Sequence, residues 1–271
     1  MDERAIGVFD SGAGGLTAVR QLRRLLPGEK IVYFGDTGRV PYGTRSPSAI
    51  FQYAKQDIAF LLSKNVKFLL AACGTVSSIL PADYTAALPV PFAGVVDAAS
   101  AAAAAATQNG RIGVIGTSAT IRSGSYEQRL HNADGDFQVF ARACPMFVPL
   151  VENGYVAPDD PITAAIARQY LEPLQEKGVD TLILGCTHYP LIAPAIAKVM
   201  GPEVTLIDAG REGALLARRR LTELELLAPE GHAGGAEYYV SDEPAGFEPF
   251  IRLFVGGDEE GPVTRVAIDN Y

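Results

Sequence analysis

Two cysteines lie at matching places in two stretches of this chain that are almost copies of each other. Residues 66–75 read VKFLLAACGT, and residues 179–188 read VDTLILGCTH. In both, an apolar run typical of a buried strand ends in a small residue, and a cysteine follows at once: Cys73 in the first and Cys186 in the second. Two equivalent thiols indicate two equivalent catalytic groups. They suit a reaction that removes a proton from one face of a carbon and returns one to the other.

The residues after each cysteine bear on its reactivity. A hydroxyl residue follows at the start of an expected helix, Thr75 after Gly74 in one copy and Thr187 in the other. A helix N-terminus lowers the pKa of a thiol, so both positions favour the thiolate. A single buried cysteine is more often an inert small hydrophobe, but the repeated placement argues for chemistry.

A histidine stands close to the second thiol. His188, two residues past Cys186, could exchange protons with that thiol or orient it. We expect no metal site, because the chain offers no second pair of ligands at the spacing that zinc sites use. The third cysteine, Cys144, is followed by a proline, and we interpret it as structural.

Polar residues follow other predicted strands as well. Asp10 and Ser11 open a glycine-rich turn, DSGAGG, whose backbone N–H groups at a helix start would bind an anion. Neither nucleotide-binding glycine pattern is matched, and a purely structural turn stays open as the alternative. The loop with Tyr42 and Gly43 is equally consistent with a turn and with a site. Glu152, at the end of an apolar stretch, is either solvated or an assisting acid or base.

These residues need elements that carry them to one place. Eight continuous apolar runs alternate with helix-like stretches, which predicts an α/β fold with parallel strands buried on both faces. The runs lie at 5–9, 30–34, 66–72, 92–96, 111–115, 137–140, 179–184 and 204–207. The first runs resemble the later ones in the same order, so we expect two pseudo-symmetric domains, each a mostly parallel sheet flanked by helices, with the active site in the cleft between them. The residues after 208 have no partner in the repeat and would complete or cap the first unit.

The overall composition narrows the function. The 271 residues are 48% hydrophobic and 20% charged, which fits a globular protein. A formal net charge of −8 disfavours nucleic acid and anionic membranes as partners, although helix starts can still bind an anionic small molecule. With an odd number of cysteines, no signal sequence and no long apolar run, we expect a cytoplasmic protein.

Several motifs together resemble those of bacterial glutamate racemases, from residue 5 to about residue 210. These motifs are DSGAGGL at 10–16, GD at 35–36 with PYG at 41–43, AC at 72–73 with Thr75, GT at 116–117 with Thr120, VE at 151–152 and LGCTHYPL at 184–191. The last is the most specific, because the related aspartate racemases usually carry glutamate where this chain has His188.

The resemblance implies a cofactor-independent interconversion of L- and D-glutamate that supplies D-glutamate for peptidoglycan, and it allows a homodimer. It implies Cys73 and Cys186 as the proton-transfer groups, with Asp10, Glu152 and His188 assisting. It implies that Asp10, Ser11, Tyr42, Gly43, Gly74, Thr75, Thr187 and His188 line the substrate, and we add Thr117 as a further hydroxyl donor. It also implies one domain of residues 1–96 and 209–271 and another of residues 97–208.

One residue departs from the family pattern. Gly74 stands where the family usually has asparagine, so only a backbone N–H is left for the substrate. Loss of one charge-assisted hydrogen bond costs about 1.5–3 kcal/mol, unless Ser77 or a water replaces it. Two alternatives therefore stay open. One is a racemase of another acidic amino acid or a hydantoin-like substrate, and the other is a catalytically silent carboxylate-binding protein on the same scaffold.

Overall fold

Two parallel sheets organise the computed structural model, which describes residues 1–256 and 261–271. The strands are β1 Ile6–Asp10, β2 Lys30–Gly35, β3 Phe68–Ala71, β4 Phe92–Gly94, β5 Arg111–Gly116, β6 Gln138–Ala143, β7 Thr181–Leu184, β8 Thr205–Asp208, β9 Gly235–Val240 and β10 Val263–Arg265. The first sheet has the order β10-β9-β2-β1-β3-β4 and the second the order β6-β5-β7-β8. All the strand pairs among these residues are parallel.

The helices connect the strands and cover the sheets. They are α1 Leu16–Leu25, α2 Pro47–Ser63, α3 Gly74–Ile79, α4 Ala82–Ala86, α5 Val95–Ala106, α6 Ser118–Ser123, α7 Ser125–His131, α8 Phe147–Glu152, α9 Pro161–Gln175, α10 Ala193–Met200, α11 Ala209–Glu223 and α12 Glu248–Val255. Several begin at a side chain that caps a free backbone N–H: Ser46 accepts from Ala49 at α2, and Thr117 accepts from Thr120 at α6. The cap at α6 is also one of the predicted site residues.

The internal repeat of the sequence reappears as a repeat of topology. In the first sheet β1 lies between β2 and β3, with β4 outside β3. In the second sheet β5 lies between β6 and β7, with β8 outside β7. The predicted fold of two pseudo-symmetric parallel sheets flanked by helices is therefore confirmed.

A large apolar cluster is shared by the two sheets. Strands β1 and β3 are buried at every position, as their continuous apolar sequences predict. One cluster of buried side chains contains residues of both sheets, for example Val8 and Val114, and continues through α1, α5 and α11. Each large apolar side chain in it stabilises the fold by about 1.5–3 kcal/mol relative to exposure, so this core holds the cleft-forming halves together.

The C-terminal segment completes the first sheet. Strand β9 pairs with β2, and β10 pairs with β9, so residues after 208 return to the first half of the molecule. The predicted domain bounds, 1–96 with 209–271 and 97–208, stay a prediction. The helix expected after Cys73 is confirmed as α3. Short helices α4 and α8 were not anticipated, because five or six residues are too few to show a helical period. In the described part of the chain, no helix is long and apolar enough to cross a membrane.

Candidate active site

Both repeated cysteines face one cavity between the two sheets. Cys73 lies two residues after the end of β3, and Cys186 lies two residues after the end of β7, so the repeat delivers the thiols to equivalent strand ends. The cavity has a volume of about 440 Å³, within the range of small-molecule sites. It is lined by Ser11, Gly12, Val40, Pro41, Tyr42, Gly43, Thr44, Cys73, Gly74, Thr75, Thr117, Ser118, Pro145, Val148, Pro149, Glu152, Gly185, Cys186, Thr187, His188 and Tyr189.

The first thiol is held by the glycine-rich turn after β1. Cys73 occupies the N-cap position of α3 without a side-chain capping hydrogen bond, and its Sγ donates to Ser11 Oγ at 3.5 Å. Burial raises the pKa of Cys73 to about 12, and the nearby Asp10 carboxylate adds to the increase, while Ser11 opposes it. Among titratable groups, Asp10 thus has the largest effect on the pKa of Cys73.

The second thiol belongs to a chain of three side chains. His188 Nδ1 lies 3.9 Å from Cys186 Sγ, and His188 Nε2 lies 2.9 Å from Glu152 Oε1. The Phe254 ring of α12 packs edge-on against the imidazole, 5.2 Å between centroids. Burial raises the pKa of Cys186, and the backbone hydrogen bond to His188 opposes that increase. The ring is therefore fixed between an acid and a thiol.

The prediction that helix starts lower the pKa values of both thiols is wrong. Both cysteines are nearly inaccessible, 5% and 7% exposed, and burial outweighs the donors around them. Cys186 is also not followed directly by an α-helix: a 3₁₀ turn at Tyr189–Ile192 comes before α10. Each thiol therefore needs a base beside it before it can accept a proton from a substrate.

Hydroxyl groups join the two halves on either side of the cavity. Thr75 of the first half lies 2.9 Å from Thr117 and 3.3 Å from Thr120 of the second, oxygen to oxygen. On the other side Thr187 donates to Asp10 at 3.5 Å, and Thr17 donates to the Thr187 carbonyl at 3.1 Å. A threonine from each half thus makes a hydrogen bond to the other half.

Most of the predicted substrate residues line the cavity: Ser11, Tyr42, Gly43, Gly74, Thr75, Thr117, Thr187 and His188. Asp10 is the exception. It is 1% exposed and lies behind the lining, where Thr187 and the backbone of Gly12 donate to its carboxylate. Burial raises the pKa of Asp10, and the charge of His188 opposes this. Asp10 is placed to act on other side chains rather than to form the cavity wall.

Gly74 marks a point where the two halves touch. A methyl group built on its α-carbon would overlap the carbonyl oxygen of Gly185, so no side chain fits there in this conformation. The expectation that Ser77 replaces the missing donor is wrong. Its hydroxyl accepts from Val96 N–H at 3.1 Å, and Ser77 is not part of the cavity lining. Apart from its neighbour Thr75, the hydroxyl nearest to a β-carbon built at Gly74 is that of Thr120, at 3.9 Å.

Several wall residues were missed from sequence. Val148 and Pro149 lie one helical turn before Glu152 on α8, a spacing that puts them on the same face, but the helix was too short to recognise. Ser118 follows the recognised Thr117. Pro145 follows Cys144, whose own thiol is buried outside the cavity lining and has its pKa raised by burial to about 12. Among the described residues, no three His, Cys, Asp or Glu side chains are grouped to hold a metal ion.

The fold and the site together define a class: an α/β enzyme with two thiols at equivalent strand ends on either side of one cleft. The family model described as Asp/Glu/Hydantoin racemase matches residues 7–217, and the chain belongs to this family. The glutamate racemase of Geobacter metallireducens is 43% identical over 269 residues, covering 99% of this chain and 98% of that protein.

Solved structures agree with this assignment. The crystal structure of a glutamate racemase from Bacillus anthracis has a TM-score of 0.92 at 35% identity, covering 98% of both chains. That of glutamate racemase from Francisella tularensis in complex with D-glutamate has a TM-score of 0.91 at 36% identity, covering 100% of both. The similarity therefore extends beyond the family model into the C-terminal segment.

Proposed function

We propose that this chain interconverts L- and D-glutamate by proton transfer between Cys73 and Cys186, without a cofactor. The observation that carries the proposal is that both thiols line one cavity from equivalent ends of two repeated sheets. A carbon bound between them would present one face to each sulfur. The choice of glutamate as the substrate rests on the relatives that are named glutamate racemases.

The high pKa values of the thiols suit this chemistry. A thiolate formed in a buried site is scarce, but it is a stronger base than an exposed one and lies closer in pKa to the α-proton that it removes. Cys186 can pass its proton to His188 Nδ1, because Glu152 holds the other ring nitrogen. Asp10 has the corresponding position beside Cys73. Each sulfur is thus paired with its own acid or base.

The carbanion formed on removal of the α-proton needs donors in a site with little water. Ser11, Thr75, Thr117 and Thr187, which carry hydroxyl groups, line the cavity, and so does Gly74, the first residue of α3, beside Cys73. Donors fixed in advance stabilise such a charge more than mobile water does. In one direction Cys73 takes the proton and Cys186 returns one, and in the other direction the roles exchange.

The test is incubation of L-glutamate with the protein in D₂O without added cofactor. The expected result is D-glutamate that carries deuterium at the α-carbon. Cys73→Ser and Cys186→Ser should each abolish racemisation. Each should retain α-proton exchange with only one enantiomer, opposite in the two variants. Absence of both D-glutamate and α-deuterium at high enzyme concentration would overturn the proposal.

The third cysteine provides a matched control. Cys144→Ser changes a buried thiol of similarly high pKa outside the cavity, so racemisation should persist. The same assay separates the alternatives. Turnover of aspartate or a hydantoin in preference to glutamate would assign another substrate to this family member. Binding of glutamate without exchange would assign a carboxylate-binding protein.

The setting of this activity follows from its chemistry. We propose a cytoplasmic location, because both thiols must stay reduced to transfer protons and a reducing compartment keeps them so. Its D-glutamate would be consumed in peptidoglycan synthesis. A homodimer stays a prediction, to be checked by sedimentation.

A further inference from the structure

A buried polar cluster lies behind one wall of the cavity. The ring of Tyr42 contributes to the lining, but its hydroxyl contacts two carboxyl groups, Asp36 and Asp57, that are both 0% exposed. Asp36 follows β2, whereas Asp57 comes from the middle of α2. Arg39 joins them from the 3₁₀ turn at Thr37–Arg39. We call Asp36, Arg39, Tyr42 and Asp57 the carboxyl network.

The side-chain carboxylate of Asp36 accepts three hydrogen bonds. Its Oδ1 accepts from Ser241 at 2.7 Å, and its Oδ2 accepts from Arg39 Nε at 2.6 Å and from the Tyr42 hydroxyl. Three donors around one carboxyl group are the pattern of an ionised carboxylate. Tyr42 has a single hydroxyl hydrogen, so its donation to Asp36 leaves the phenolic oxygen as an acceptor.

Asp57 lies next to the phenolic oxygen of Tyr42. Its Oδ2 lies 3.4 Å from the Tyr42 oxygen, and its Oδ1 accepts from Arg39 at 3.2 Å. Two oxygens that approach each other need a hydrogen between them, and Tyr42 has already used its own. Burial raises the pKa of Asp57 well above its ordinary value, and the charges of Asp36 and, more distantly, Asp10 raise it further, while Arg39 opposes them. A neutral Asp57 that donates to Tyr42 satisfies the whole network.

The network bears on the cavity because Tyr42 belongs both to the network and to one wall of the cavity. Gly43, next to Tyr42, is so close to the second half that an added methyl group would lie 3.0 Å from the Thr117 side chain. With Asp57 neutral, Arg39 and Asp36 balance each other within the network, and Asp269, 3.9 Å from Arg39, is exposed and its charge is screened by solvent. The carboxyl network itself therefore adds no net charge behind the wall. An ionised Asp57 would add an uncompensated negative charge behind that wall.

We propose that Asp57 is a positioning residue for substrate binding: as a neutral acid it donates to Tyr42 and, with Arg39, holds the wall of residues 40–44 against the second half of the molecule. This inference rests on the proposed glutamate racemisation. The residue acts through Tyr42 and does not touch the cavity itself. Its loss should therefore weaken substrate binding more than it slows proton transfer.

The experiment compares two substitutions of similar size. In Asp57→Asn the amide can donate to Tyr42 and accept from Arg39, so KM for glutamate should stay within about 2-fold of the wild-type value. In Asp57→Leu both hydrogen bonds are lost. We expect KM to rise about 10-fold, with kcat changed by less than about 3-fold, in both directions. If Asp57→Leu does not fold, Asp57→Ala carries the same expectation.

Two controls separate positioning from a general loss of stability. Phe60→Leu truncates a buried side chain one turn further along α2, whose ring neighbours are Phe34, Tyr239 and Tyr271. It should lower Tm without raising KM. In a Tyr42→Phe background, Asp57→Leu should add little to KM, because the two residues act in series.

The inference would be overturned if Asp57→Asn were as damaging as Asp57→Leu, if Asp57→Leu left KM unchanged, or if Phe60→Leu raised KM equally. Wild-type protein without racemase activity contradicts the proposed function instead. That result appears in the same assay before any variant is compared.

Discussion

Glu152 is expected to act on catalysis only through His188, so Glu152→Gln should slow racemisation by about 5- to 10-fold without unfolding the protein. The carboxylate lies 2.9 Å from His188 Nε2, and the other ring nitrogen lies 3.9 Å from Cys186 Sγ. Glutamine keeps the shape of the side chain and can still accept from the ring. It removes the charge that favours a protonated imidazole when Cys186 gives up its proton.

The size of the effect follows from that contact. A hydrogen bond to a charged group contributes about 1.5–3 kcal/mol and a neutral one about 0.5–1.5 kcal/mol, so the exchange removes about 1–1.5 kcal/mol. The Glu152 side chain is 39% exposed, and solvent screening keeps the loss from exceeding this range. About 1–1.4 kcal/mol corresponds to a factor of about 5 to 10 in rate.

The assay is steady-state racemisation measured from both enantiomers. L- and D-glutamate are mirror images with an equilibrium constant of one in water, so kcat/KM must fall by the same factor in both directions. Values of kcat and KM taken separately should change unequally, because His188 serves one thiol. Glu172→Gln, the same chemical change at an exposed position of α9, is the matched control and should have no effect.

The coupling between the two residues can be measured directly. In a His188→Asn background, Glu152→Gln should cause little further loss, since its partner is already gone. Full activity of Glu152→Gln would refute the reasoning, and so would an undiminished loss in the His188→Asn background. Either result would mean that the contact with the histidine is structural.

The other predictions concern the cleft, stability and pH. Gly74→Ala should lower kcat/KM, with a loss of about 1–3 kcal/mol in transition-state stabilisation. The new methyl group meets the Gly185 carbonyl and holds the cleft open. Unchanged kinetics would show that the backbone adjusts freely. Lys67→Met should lower the free energy of unfolding by about 3–5 kcal/mol in urea titrations. Buried Glu29, 2.6 Å from Lys67 Nζ, would lose its counter-charge and keep the Ala228 N–H as a donor. Lys67→Met with Glu29→Leu should recover much of the loss. Burial raises the pKa of Cys73 from 9.0 to about 12. The unfolded chain therefore loses this proton first, and the free energy of unfolding should fall between about pH 9 and 12. Cys73→Ala should make that decline shallower by up to about 1.4 kcal/mol per pH unit.

Sequence reasoning reached the parallel strands and the positions of the two thiols because both depend on local signals. Continuous apolar runs identify strands buried on both faces, and each cysteine stands just past such a run. Once the repeat is recognised, equivalent strands must end at equivalent places in the two sheets. The pairing of Cys73 with Cys186 across one cleft therefore followed from pattern alone, as did the cavity-lining positions of Thr75 and Thr187.

The partners of these residues came from packing between distant segments. His188 and Glu152 are 36 positions apart, and Asp10 and Thr187 are 177 apart, so no local pattern indicates that they touch. Asp57 gave no signal either, because a charged residue on a helix is ordinarily exposed.

The sequence by itself determined which elements form and where the thiols stand along them, since these properties are set by neighbours in the chain. Only the tertiary structure decided the protonation of those thiols. A helix start favours the thiolate locally, but the two halves close over Cys73 and Cys186, and the loss of solvation on burial is larger and opposite in sign. Burial is a property of the whole fold, so its effect on a side chain follows from the assembled molecule.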